Sequence, residues 1–148
     1  VVVGKRPFSA YRKVGLDTNV LIYHVQDHPR YGKWCAKLFA RIERGQVSAV
    51  TSTVSMLEVL VQPYRLESHP LVQKFYALLS TYPKLSWVPV SLEVADRAAE
   101  LRARYNLSTP DAIQLATAIG FQATGFIGND KGLKKVKEIE CLLVSDFV

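Results

Sequence analysis

The chain has 148 residues, of which 49% are hydrophobic and 22% charged, an ordinary globular composition that excludes a disordered chain. Its length suits one compact domain with a continuous core, and with no apolar run near the roughly 18–20 residues of a membrane span and no signal-peptide pattern, no membrane partner is expected. Nineteen Lys and Arg against thirteen Asp and Glu leave a net charge of +6, which suits a polyanionic partner but serves solubility equally well.

Residues 1–13 begin without an initiator methionine and carry Lys5, Arg6, Arg12 and Lys13. They are expected to form an N-terminal extension, flexible or left over from processing or cloning, with the domain proper over residues 14–148. Val14-Gly-Leu-Asp17 is a short apolar run ending on an acid. Thr18 and Asn19 then offer capping side chains before Val20, Leu21, Ile22 and Val25, a first helix. Residues 31–44 form a second helix by the stripe Cys35, Leu38, Phe39 and Ile42, and Gly45 ends it. Residues 46–51 read as a short strand.

Residues 53–61 form an almost wholly apolar helix closed by Pro63, so most of it is expected to be buried. Pro70 suits the first turn of the next helix, which turns Leu71, Phe75, Leu78 and Leu79 inward. Residues 85–90 are a third strand, which Pro89 places near a sheet edge. Ser91 caps a helix whose inward row is Val94, Ala98, Leu101 and Tyr105. Thr109 and Pro110 open the last helix, with Ala112, Leu115, Ala116 and Ile119 at helical spacing. Residues 125–127 and 141–144 supply two further strands around the basic stretch 131–137. Strands alternating with helices predict a single α/β domain with a parallel sheet covered on both faces.

Cys35 and Cys141 match no zinc or redox spacing and are expected to be reduced core thiols, which suits a cytoplasmic protein. His24, His28 and His69 are isolated and loop-like, expected at the surface rather than as ligands. No His or Cys cluster therefore competes with the carboxylates as a candidate site. Asp17 ends a strand and opens a helix, at the rim where open parallel sheets collect ligands. Glu58 shares a narrow polar stripe with Ser55 and Gln62 on an otherwise apolar helix, where a carboxylate is costly to bury without a partner or cation. Asp111 lies in the first turn of its helix, and Asp130 follows the fourth strand. Each of the last two is individually explained by a helix dipole or a turn.

As a set, the four acids can approach one rim of the sheet, where they would repel one another unless a hard cation sat among them. Mg²⁺ suits such oxygen ligands, and Mn²⁺ could replace it. With four of the thirteen acids in one pocket, nine would remain against nineteen bases elsewhere. Lys131, Lys134, Lys135, Lys137, Arg102 and Arg104 could then hold a nucleic-acid backbone.

At these residues the sequence resembles the PIN-domain nucleases, especially the VapC-like toxins of toxin–antitoxin pairs. The matching segments are VGLDTNVLIY at 14–23, SMLEV at 55–59, STPDAIQLATA at 108–118 and FIGNDKGL at 126–133. The resemblance implies a Rossmann-like three-layer sandwich with five parallel strands. It places the family's catalytic and metal-binding acids on Asp17, Glu58, Asp111 and Asp130, and implies Mg²⁺-dependent hydrolysis of RNA, an antitoxin partner and a homodimer. Relatives carry Thr or Ser two residues before the last acid, whereas this chain has Gly128. That departure keeps open a non-catalytic RNA-binding or scaffold module. A receiver-type phosphoryl-transfer domain would need a second acid beside Asp17, which Thr18 and Asn19 do not supply.

Overall fold

The computed structural model describes residues 8–148. The elements follow in the order β1 (Lys13–Leu16), α1 (Thr18–Val25), α2 (Gly32–Glu43), β2 (Ser48–Ser52), α3 (Thr53–Arg65) and α4 (His69–Ser80). They continue with β3 (Leu85–Val88), α5 (Leu92–Tyr105), α6 (Thr109–Gly120), β4 (Gly125–Gly128) and β5 (Glu140–Leu143). The five strands form one sheet in the order β3-β2-β1-β4-β5, and every neighbouring pair is parallel. This is the expected single α/β domain.

Alternation along the strands builds two cores. Val14, Leu16, Ala49, Ile127 and Leu142 pack with α1, α2 and α4 on one face, while Val50, Phe126 and Cys141 pack with α5 and α6 on the other. Gly15 marks where α6 lies closest to the sheet, because a Cβ there would stand only 2.5 Å from the Ala118 Cβ. The Ala-rich face of α6 permits that approach. The chain builds β1, β2 and β3 outward in one direction, then returns to lay β4 against the other side of β1. A crevice therefore opens at the carboxyl ends of β1 and β4, the switch point of the sheet.

Four details depart from the sequence reading. The domain begins before residue 14: β1 starts at Lys13 and Tyr11 is buried in the core, because Phe8 and Tyr11 join an aromatic group that includes Trp34 and Phe147. The rest of the expected extension, residues 1–7, lies outside the described residues. Pro63 does not close α3, which continues to Arg65 and is capped when the Leu66 N–H donates to the Gln62 carbonyl. The proline removes one donor while its ring is buried, so the helix passes through it.

Nor is α3 buried all round. Leu57 is 63% exposed and Tyr64 56%, because α1 and α4 cover only part of its surface. Finally, His24 is not a surface loop residue. It lies on α1, stacks on Phe39 and shares a 2.9 Å hydrogen bond with the Tyr82 hydroxyl. Gly45 ends α2 as expected, at a φ of +74° that favours glycine. Both cysteines are buried thiols, pushed up to about 12 by desolvation.

Candidate active site

Asp17 caps α1, its Oδ1 accepting the Thr18 N–H at 2.8 Å. An N-cap acid gains from the positive end of its helix, yet Asp17 is only 7% exposed. Burial raises its pKa to about 7, and the charges of Asp111, Glu58 and Asp130 add to the rise against the Thr18 hydrogen bond. The fold thus brings all three other acids within electrostatic reach of the strand-end carboxylate. Three of the four are distant from Asp17 in the chain and arrive on separate elements.

Asp111 stands in the first turn of α6, where Ser108 caps the helix by accepting the Asp111 N–H. Glu58 is half-buried on α3, and its Oε1 accepts a 2.7 Å hydrogen bond from the Thr18 hydroxyl. Asp130 is exposed beyond β4 and caps a 3-10 turn at Lys131–Lys135, accepting the Gly132 N–H at 2.8 Å. Its turn role and its electrostatic influence on Asp17 coexist. Asn129, next to it, donates to the Tyr23 hydroxyl and accepts the Ser145 N–H, fixing the loop between α1 and the end of β5.

Among the described residues, no three His, Cys, Asp or Glu side chains close tightly enough to grip an ion by themselves. The donor set is nonetheless all hard carboxylate oxygen around one buried acid. Mg²⁺ commonly keeps several waters and takes only one or two carboxylates, so a loose acidic pocket fits it better than a closed protein cage.

Sequence reasoning passed over the polar groups beneath these acids. The Ser55–Glu58–Gln62 stripe splits, with Ser55 fully buried, Glu58 half-buried and Gln62 exposed. Ser55, Thr51, Thr18 and Gln114 form one hydrogen-bonded group under the pocket. A lone Gln on the apolar Ala-rich face of α6 was the available signal, since a buried amide needs partners. Of the candidate cations, Arg104 is paired with Glu138 and Glu100, and Lys134 with Asp146.

A parallel, doubly wound sheet with a buried acid at its switch point, in the electrostatic field of three others, defines a Rossmann-like domain. The PIN domain family model matches residues 14–139, and the chain belongs to that family. No curated protein matches it. Among solved structures, it is similar to VapBC2 of Rickettsia felis bound to a DNA fragment from its promoter, with a TM-score of 0.70, 17% identity, and 88% of this chain and 98% of that one covered. A toxin–antitoxin complex from Klebsiella pneumoniae aligns with a TM-score of 0.64, 25% identity, and 86% and 94% coverage. VapC20 of Mycobacterium tuberculosis, a toxin that cleaves the sarcin–ricin loop, aligns at 0.68, 15% identity, and 86% and 97% coverage. Among the described residues, no helix is long and apolar enough to cross a membrane.

Proposed function

We propose that the protein is a Mg²⁺- or Mn²⁺-dependent endoribonuclease and the toxin of a type II toxin–antitoxin pair. The observation that carries this reading is the buried Asp17 carboxyl, raised to about 7 by its surroundings and by three further acids. Such a site disfavours its own full ionisation and is relieved by a bound divalent cation. Asp17 would hold the ion directly, with Glu58 and Asp111 completing its coordination or orienting its waters. Asp130, the most exposed acid, would serve a second ion or orient the attacking water. The cation would activate water and offset charge on the phosphoryl group in flight. Lys131, Lys135 and Lys137, exposed beside Asp130, would hold the RNA backbone.

The toxin complexes among the structural relatives support an antitoxin as partner. The exposed apolar groove of α3, lined by Leu57, Leu60, Val61 and Tyr64, supports a homodimer. Gly128 favours a second reading, a PIN module that binds RNA without cutting it. Incubation of the purified chain with RNA separates the two. Cleavage that requires Mg²⁺ or Mn²⁺, stops with EDTA and is lost in Asp17→Asn is the expected result. RNA binding without cleavage, unaffected by EDTA and by Asp17→Asn, would instead establish the scaffold reading.

A further inference from the structure

Below the acidic pocket, four elements meet through polar side chains that are almost wholly buried. Gln114 on α6 is 2% exposed, Thr51 on β2 is 1%, and Ser55 on α3 is 0%. A buried amide is costly unless its donors and acceptor are matched. Here the Gln114 Oε1 accepts the Ser52 N–H at 3.2 Å and faces the Thr51 hydroxyl at 3.3 Å, while its Nε2 donates to Ser55 Oγ and reaches Thr18 Oγ1 at 3.5 Å.

The polarity of this group follows from its two ends. A backbone N–H can only donate, so Ser52 turns the Gln114 oxygen toward itself and the amide nitrogen toward Ser55. At the other end the Glu58 carboxylate accepts, so the single Thr18 hydroxyl proton points to Oε1 at 2.7 Å. Thr51 donates to the Leu16 carbonyl, so the one Ser55 proton is shared between Thr51 Oγ1 at 2.9 Å and Thr18 Oγ1 at 3.0 Å, while Ser55 accepts from the Gln114 amide, which also reaches Thr18 Oγ1 at 3.5 Å. The Gln114 amide thus supplies donors to Ser55 and Thr18, and Thr18 in turn donates to Glu58.

We propose that Gln114 is a positioning residue for Glu58, acting through Thr18 to hold the carboxylate toward the cation pocket. This rests on the metal-binding reading above. With the amide present, Ser55 is already supplied with a donor and the Thr18 proton is committed to Glu58. Without it, the Thr18 proton can turn to Ser55 instead, and Glu58 is released to the many rotamers of a half-exposed side chain. Thr18 is the partner one hydrogen bond from the carboxylate, where such groups typically contribute about 10–100-fold to metal affinity, and Gln114 acts through it at the low end of that range.

The test is Mn²⁺ titration by calorimetry on the full chain, without RNA, for the wild type, Gln114→Met, Thr18→Val and the double variant. Methionine keeps the volume of glutamine and removes both of its polar atoms. Gln114→Met is expected to weaken Mn²⁺ binding about tenfold in the wild-type background and less than twofold in Thr18→Val, because the second change has already cut the chain. Thr18→Ser, which keeps the hydroxyl, is expected to bind within about threefold of wild type. Ser55→Ala removes the competing acceptor and is expected to stay within about threefold of wild type, and Gln114→Leu, which removes the same polar atoms, covers the case of a poorly folding methionine variant. Equal losses from Gln114→Met in both backgrounds would show a general packing role and overturn the proposal. Wild-type binding left unchanged by Gln114→Met and by Gln114→Leu would overturn this inference alone, whereas a wild type that binds no Mn²⁺ would overturn the metal-site reading and this inference with it.

Discussion

Gly128 ends β4 directly beside Asp17: a Cβ at residue 128 would stand 3.3 Å from Asp17 Oδ2 and 3.2 Å from the Leu133 Cδ1. The missing side chain therefore lets the β4 backbone lie close against the buried carboxylate, at the position where relatives of the resembled type carry a hydroxyl. A serine there needs its neighbours to shift by a few tenths of an ångström and places a donor beside the acid. Gly128→Ser is expected to change stability by less than about 1 kcal/mol and to retain cleavage. Gly128→Val adds bulk without a donor and should cost about 1–3 kcal/mol by overpacking. Urea denaturation of both variants checks this, and equal destabilisation would refute the role given to the hydroxyl.

Asp17 makes the protein's stability depend on pH. Its folded pKa of about 7 lies above the ordinary 3.8, so between those values the folded chain holds a proton that the unfolded chain has released. Stability from this group is therefore greatest at low pH, falls as pH rises toward 7 and levels off above it. The shift corresponds to roughly 4 kcal/mol as an upper figure. Asp17→Asn should accordingly stabilise the metal-free protein at pH 8 and have little effect at pH 4. Saturating Mn²⁺ should stabilise the wild type at pH 8, by about 2.7 kcal/mol at a hundred times its Kd, and leave Asp17→Asn unchanged. Denaturation curves at the two pH values test the sign.

The cations near the pocket should differ in their use. Lys135 and Lys137 are exposed on the segment after Asp130, whereas Arg104 is engaged by Glu138, which also accepts from the Tyr105 hydroxyl. Replacing either lysine with alanine is expected to reduce the salt dependence of single-stranded RNA binding by about 0.7 in log–log slope. Arg104→Ala is expected to leave the slope unchanged. Binding titrations of Asp17→Asn as the uncleaving background, from 50 to 200 mM salt, read this directly.

The apolar stripe of α3 bears on assembly. Leu57 at 63% exposure, with Leu60, Val61 and Tyr64, offers a continuous surface that a soluble monomer would leave wet. If a second copy covers it, sedimentation should give a dimer mass for the wild type and a monomer mass for Leu57→Asp. A wild-type chain that sediments as a monomer would remove this surface from a homodimer.

Much of the fold was readable because hydrophobic period and punctuation are local. Each of the five strands and six helices has a matching signal in the sequence, from the Cys35–Ile42 stripe to the Pro110 helix start. The failures were tertiary in origin. Pro63 was read as a stop, yet the helix continues because packing around the buried ring outweighs one missing donor. The residues of α3 were read as buried because they are apolar, but burial depends on what neighbours supply. His24 was read as a loop residue, and its partners Phe39 and Tyr82 are distant in the chain.

By itself the sequence determined which residues carry negative charge, and that Asp17 closes a strand while opening a helix, since capping and periodicity act within a few neighbours. Only the tertiary structure decided that Asp17 is buried among the fields of Glu58, Asp111 and Asp130, and that Gln114 reaches Ser55 and Thr18 beneath them. Desolvation and hydrogen-bond direction arise from groups far apart along the chain, brought together by the crossover that returns β4 to the side of β1.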